Sequence, residues 1–227
     1  MIRFAKIDLE IDIVSLQKEV NALTETWKPH FNTRHYEGEW NVLALRAPGG
    51  KTDQITPDII GDENTVYADT PLLDACPSVR RLLNTLNCPV QSVRLLNLKR
   101  GANIKPHRDH ELAFEKGEAR LHFPVFTNEG VEFYIEDTLV PMREGECWYI
   151  NANLLHSVSN NGATDRIHLI VDCEVNEWLT EVFDRSEKNI TVMPDRDQVM
   201  KIISELKLQG TESAQKLASE LERSLSV

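Results

Sequence analysis

Between residues 90 and 173 the chain breaks into short apolar runs separated by turn residues, and no other feature of the sequence restricts the fold as much. The runs are SVRLLNL, ARLHFPVFT, VEFYIE, LVPM, CWYIN, HSVS and RIHLIVD. Each is too short for an ordinary helix. Turn signals recurring every ~8–12 residues predict an antiparallel sandwich or barrel. Asn160-Asn161-Gly162 is a tight-turn sequence, because Asn and Gly tolerate positive φ, and it predicts a hairpin joining HSVS to RIHLIVD.

The flanks read differently. Residues 2–9 predict a strand, and Ile13, Leu16, Val20, Leu23 and Trp27 then follow a helical period over 12–27. NVLALRA at 41–47 predicts a strand closed by Pro48-Gly49-Gly50, and 49–70 is polar and irregular. A second helix is expected from Pro77 through Val79, Leu82, Leu83 and Leu86, and a third over EVNEWLTEVF at 174–183. Asp195 with Gln198 forms a capping box for a helix whose stripe is Val199, Ile202, Ile203 and Leu206. After Gln209-Gly210 a last helix carries Ala214, Leu217, Leu221 and Leu225. This pair reads either as an antiparallel hairpin covering the sheet or as an element that builds a homodimer through the C-terminal helices. A helix stripe is normally core, which favours the hairpin.

Charge and composition exclude several partners. With 36 acidic and 25 basic residues the formal net charge is -11, so a phosphate backbone or an anionic membrane surface is repelled. A dianionic small molecule would then need a locally placed arginine. Charges at Arg3, Lys6, Asp8, Glu10 and Asp12 argue against a signal peptide, and no stretch approaches the ~18 apolar residues of a membrane span. Cys76, Cys88, Cys147 and Cys173 form no CxxC pair and no zinc-like spacing. They read as reduced thiols of a cytoplasmic protein, Cys147 and Cys173 buried in strands, with a structural disulfide as the other reading.

The chemistry concentrates at Lys105-Pro106-His107-Arg108-Asp109. In a strand, residues i and i+2 share a face, which sets the His107 imidazole beside the Asp109 carboxylate. His156, 47 residues beyond Asp109, supplies a third donor. Two histidines and one carboxylate form the facial triad of non-haem iron(II) oxygenases. By itself an H-x-D triplet is more often a surface strand edge or a turn than a metal site. Arg166, ten residues past His156 on the expected partner strand, sharpens the reading. Its default is a surface ion pair. Yet alternation sets Arg166 and His168 opposite Ile167, Leu169 and Val171, and an arginine entering so apolar a strand can grip a carboxylate with two parallel bonds. Arg120 and His122 likewise share a face opposite Leu121, Phe123 and Val125, as a polar outer surface or as a patch lining the metal pocket. His110 should face away from His107 and Asp109, and His168 is either core or a partner supporting a ligand. Trp148, Tyr149, Phe123 and Phe133 are candidate pocket walls or plain core.

Taken in order, IKPHRDHELAFEKGEARLHFPVFTN and GECWYINANLLHSVSNNGATDRIHLIVDC resemble the aspartyl/asparaginyl β-hydroxylase family, which includes bacterial cis-proline hydroxylases. The strong match spans about residues 100–174; the Trp40-to-Arg46 strand is similar to the proline hydroxylase branch. The resemblance implies a mainly β fold with flanking helices around a double-stranded β-helix (jelly-roll, cupin-like) core. With that catalytic core at about 90–174, a dioxygenase domain is expected over 1–185; nothing after about residue 175 carries the resemblance, and the helical periodicity of the tail makes 186–227 a C-terminal helical extension. The resemblance also implies Fe(II) held by His107, Asp109 and His156, 2-oxoglutarate held at its distal carboxylate by Arg166 with Arg120 and His122 nearby, and dioxygen as oxidant. The reaction implied is hydroxylation of a free, proline-like amino acid or of an Asp or Asn side chain in a peptide. Asp109 argues against the halogenating relatives, which replace that carboxylate. The rivals are a cupin-like metal-binding module and a non-oxidative cupin enzyme that turns over no 2-oxoglutarate.

Overall fold

The computed structural model describes residues 1–56, 65–109, 112–191 and 196–224. By contact it divides into two units, Ile2–Asn189 and Ile190–Val227 with Met1. The first is built on strands with one apolar and one polar face. Along Glu118–Phe126, Ala119, Leu121, Phe123 and Val125 join a large apolar cluster, while Arg120 and His122 take the opposite side. Along Arg166–Glu174, Ile167, Leu169, Val171 and Cys173 join the same cluster, leaving Arg166, His168 and Asp172 opposite. The period of two is the direct consequence of the pleat.

Numbered along the chain, the strands form two sheets. The larger runs β14 (Glu187–Ile190), β1 (Ile2–Ile7), β11 (Cys147–Ile150), β8 (Glu118–Phe126), β13 (Arg166–Glu174), β6 (Val90–Leu98), β4 (Trp40–Pro48) and β2 (Lys28–Pro29), with β5 (Tyr67–Asp69) on β4. The smaller runs β10 (Thr138–Leu139), β9 (Val131–Ile135), β12 (His156–Asn160), β7 (Asn103–His107) and β3 (Tyr36–Glu37). The register aligns inner residues in rows across the large sheet, one of which is Ala44, Arg94, Ile170, His122 and Trp148. The inner faces meet where Phe133 of β9 contacts His122 and Arg166. This is a jelly-roll core.

Three helices cover the apolar face of the large sheet: α1 (Ile13–Ala22), α2 (Pro77–Leu83) and α3 (Glu177–Asp184). They bury Leu16, Val20, Val79, Leu82, Leu179, Val182 and Phe183 against it. Each such side chain contributes about 1.5–3 kcal/mol relative to exposure. Asp12 caps α1 by accepting from Ser15 N, and Asn176 caps α3 by accepting from Leu179 N. α1 ends at Ala22 rather than at Trp27, because Leu23 turns extended and the chain heads into β2 at Lys28–Pro29. α2 stops at Leu83, short of Leu86. Phe123 and Tyr149 belong to this core, so neither is a pocket wall, whereas Phe133 and Trp148 lie outside the cluster. All four cysteines are free, and Cys147 and Cys173 are buried within strands.

The hairpin expected at Asn160-Asn161-Gly162 does not form. β12 pairs with β7 and β9, while β13 pairs with β6 and β8, so this segment carries the chain from one sheet to the other. None of the three residues adopts positive φ. The Asn160 amide instead donates to Leu98 O at 3.1 Å and Thr164 O at 2.9 Å, holding the crossing from inside. Two glycines pack back to back here: a Cβ on Gly130 would lie 2.5 Å from Gly162 N.

In the second unit, α4 (Arg196–Gln209) and α5 (Glu212–Ser224) are joined at Gly210, whose φ is 68°. Val199, Ile203 and Ala218 pack with Leu206 and Leu221 between them. The capping pair at Asp195 and the stripe residue Leu225 lie outside the described residues.

Candidate metal centre

His107 reaches the interior because β7 is irregular. Val158 pairs with Ile104 and Ser159 with Asn103, but His156 pairs with His107. A regular ladder would place Pro106 opposite His156. The extra residue is a β-bulge, and Pro106, which has no N–H for the ladder, lies within it. β7 then stops at His107, so Asp109 is not on a strand. Its direction is set by its own N–H, which donates to Ala152 O at 2.8 Å, and by Arg108, whose Nη1 donates to Asn153 O at 3.1 Å. The shared face read from i, i+2 spacing is real, but a loop rather than a strand produces it.

One ligand atom from each of His107, Asp109 and His156 falls within 4.8 Å of the others. His107 Nδ1 lies 2.8 Å from Lys105 O and His156 Nδ1 lies 3.0 Å from Leu154 O. A carbonyl only accepts, so both Nδ1 atoms donate and both Nε2 lone pairs are left for a cation. The two rings lie 4.2 Å apart, and His107 Nε2 is 3.7 Å from Asp109 Oδ1. Burial, followed by the neighbouring His107, pushes His156 down to about 4, so it is neutral at pH 7. Burial works against the Asp109 carboxylate, but Arg120 and then the two imidazoles outweigh it and hold it below the usual range. Two imidazole nitrogens and one carboxylate suit a divalent transition metal with coordination positions left open.

Arg120 bridges two carboxylates. Its Nη1 donates to Asp109 Oδ2 at 2.6 Å, its Nε to Asp172 Oδ1 at 2.6 Å and its Nη2 to Asp172 Oδ2 at 3.2 Å. Asp172 Oδ2 also accepts from Ser92 Oγ and Arg94 Nη2, both at 2.7 Å. Burial opposes the Asp172 charge, yet Arg120 and Arg94 keep it ionised. Arg94 and Asp172 had no motif to mark them; their inward positions on β6 and β13 were the available signal.

Arg166 stands apart from this network. Its side chain is among the largest that are fully buried, yet no carboxylate among the described residues pairs with it. Its Nη2 donates to His168 Nδ1 at 2.9 Å, its Nε finds no partner, and the guanidinium sits 5.8 Å above the Phe133 ring. Burial lowers Arg166 to about 9, which leaves it cationic at pH 7. His122, 5.9 Å from the His168 ring, also has a buried Nδ1 without a partner. Burial and then Arg166 hold both histidines neutral.

A wall that sequence reasoning missed comes from residues 30–40. His35 lies 4.9 Å from His107, and buried His30 stacks on Trp40 at 3.5 Å. Their spacing fits no strand or helix period, so only the fold brings them to the site. His110 lies outside the described residues.

Residues 10–175 match the sequence profile described as Aspartyl/Asparaginyl beta-hydroxylase. The L-proline cis-4-hydroxylase of Rhizobium meliloti (strain 1021) is 30% identical over 164 residues, 71% of this chain and 56% of that protein. The L-proline cis-3-hydroxylase 2 of Streptomyces sp is 30% identical over 140 residues, 60% of this chain and 47% of that one. The L-proline cis-3-hydroxylase 1 of Streptomyces sp is 27% identical over 172 residues, 74% and 58% respectively. The chain thus spans about half the length of these relatives.

Proposed function

Since the chain belongs to the aspartyl/asparaginyl β-hydroxylase family, we propose that it is an Fe(II)- and 2-oxoglutarate-dependent dioxygenase that hydroxylates a free, proline-like amino acid. The observation that carries this reading is Arg166. A buried cation with no counter-anion among the described residues, over the Phe133 ring that also stacks on His156 of the His–Asp–His cluster, is a site built for an anion near a metal. His107, Asp109 and His156 would hold the iron. Arg166 would take the distal carboxylate of 2-oxoglutarate, with the open Nδ1 of His122 beside it. Fe(II) with 2-oxoglutarate and dioxygen supplies the oxidising power, the co-substrate leaving as succinate and carbon dioxide. The protein's part is to aim three ligands, fix the co-substrate and keep water away. A binding module would need no such unpaired arginine, and the relatives named above are L-proline hydroxylases.

The test is anaerobic titration with Fe(II) and 2-oxoglutarate, followed by the weak visible charge-transfer band of a chelated 2-oxo acid. The band is expected in the wild type and absent in His107→Ala and His156→Ala, and L-proline should then stimulate succinate release. A band of full strength in either histidine variant would remove the ligand assignment. For assembly, Met200, Ile202, Leu208 and Leu217 remain exposed on the helical unit, which supports a homodimer through these helices. Sedimentation of the full chain as a monomer would end that reading.

A further inference from the structure

Asp109 is the least constrained of the three ligands. It lies past the end of β7, its side chain is 32% exposed, and among the described residues one main-chain bond, to Ala152 O, holds its backbone. Both oxygens of a carboxylate are equal donors, so a free side chain could turn, chelate with both oxygens or swing away. Arg120 removes that freedom by occupying Oδ2, which leaves Oδ1 as the oxygen beside His107 Nε2. The guanidinium cannot drift, because Nε and Nη2 are committed to the two oxygens of Asp172, directly opposite on β13. Asp172 is itself fixed by Ser92 and Arg94. Four buried or half-buried charges make poor structural cement, because desolvation offsets most of their attraction. Orientation is what such a frame supplies well.

We propose that Arg120 is a positioning residue that holds Asp109 as a one-oxygen ligand, with the Arg94–Asp172 pair aiming it. This rests on the metal reading given above. Arg120 also carries a positive charge towards the metal, which by itself weakens cation binding. The two effects therefore have opposite signs, and a charge-conserving variant separates them. Lysine at 120 keeps the charge but cannot span Asp172 and Asp109 together.

The experiment is titration of the full-length apo-protein with Mn(II), read by the loss of free-ion paramagnetic resonance, with near-ultraviolet circular dichroism as the check of fold. His107→Ala sets the level for a lost site. Arg120→Lys is expected to bind Mn(II) about 10–100-fold more weakly than wild type. In Arg120→Ala, millimolar guanidinium is expected to restore affinity where equal potassium chloride does not. Added cation could only worsen binding if charge alone mattered, so recovery reports positioning. Wild-type affinity in folded Arg120→Lys, or no gain with guanidinium in Arg120→Ala, overturns the inference. A wild type that binds no Mn(II) overturns the metal centre and this inference with it.

Discussion

Arg166 carries a positive charge that the described protein leaves without a counter-anion, and that has two measurable consequences. Removing a buried unpaired cation should stabilise the ligand-free protein, so Arg166→Met is expected to raise its melting temperature. The same variant should lose about 2–5 kcal/mol of 2-oxoglutarate affinity, a factor of roughly 30 or more. Calorimetric titration of the Mn(II)-loaded protein would check the second expectation. An unchanged Kd would move the anion elsewhere. Arg166→Lys should rescue little, because one ammonium cannot reproduce the fork. At this scale much was legible: alternation set Arg166 with His168 and Arg120 with His122 on one face of their strands, although for the second pair it left an outer surface and a pocket lining equally open. It could not say what each would touch. Arg120 reaches Asp109 and Asp172 rather than open space, and His30 and His35 belong to the site only through the path of the chain between β2 and β4.

The strands were visible as apolar runs, but their partners were not. Periodicity reports which face a residue takes and nothing about which strand lies alongside, so Asn160-Asn161-Gly162 read as a hairpin when it is a crossing between sheets. The bulge in β7 was equally hidden. Pro106 allows it, yet only the pairing of His156 with His107 shows that the ladder slips by one residue. At the crossing, Gly130 abuts the backbone of Gly162, which cannot yield as a flexible side chain would. Gly130→Ala is therefore expected to cost about 1–3 kcal/mol, as overpacking does, and to lower the urea midpoint. A neutral result would mean that the crossing adjusts freely.

Across the whole molecule, buried neutral histidines make the fold sensitive to mild acid. His30 is pushed down to about 3 by burial and then by Arg94, and His122 and His168 are lowered well below their usual value by burial and Arg166. Because the unfolded chain takes up these protons first, stability is full above about pH 6.5 and falls as pH drops towards 3. At pH 5 His30 alone accounts for about 2 kcal/mol, and the other two act in the same direction. The urea midpoint of the ligand-free protein should drop clearly between pH 7.5 and 5, before the carboxylates titrate; a flat profile would contradict it. The net charge of -11 surrounding that unpaired interior cation has a further result, which concerns speed. A dianion approaching this surface is repelled until it reaches the mouth of the site, and at 0.1 M salt the repulsion is cut off beyond about 10 Å. Added salt should therefore hasten capture of 2-oxoglutarate while its release, governed by the sheltered arginine, stays constant. Here an ionic ligand would bind more tightly as ionic strength rises.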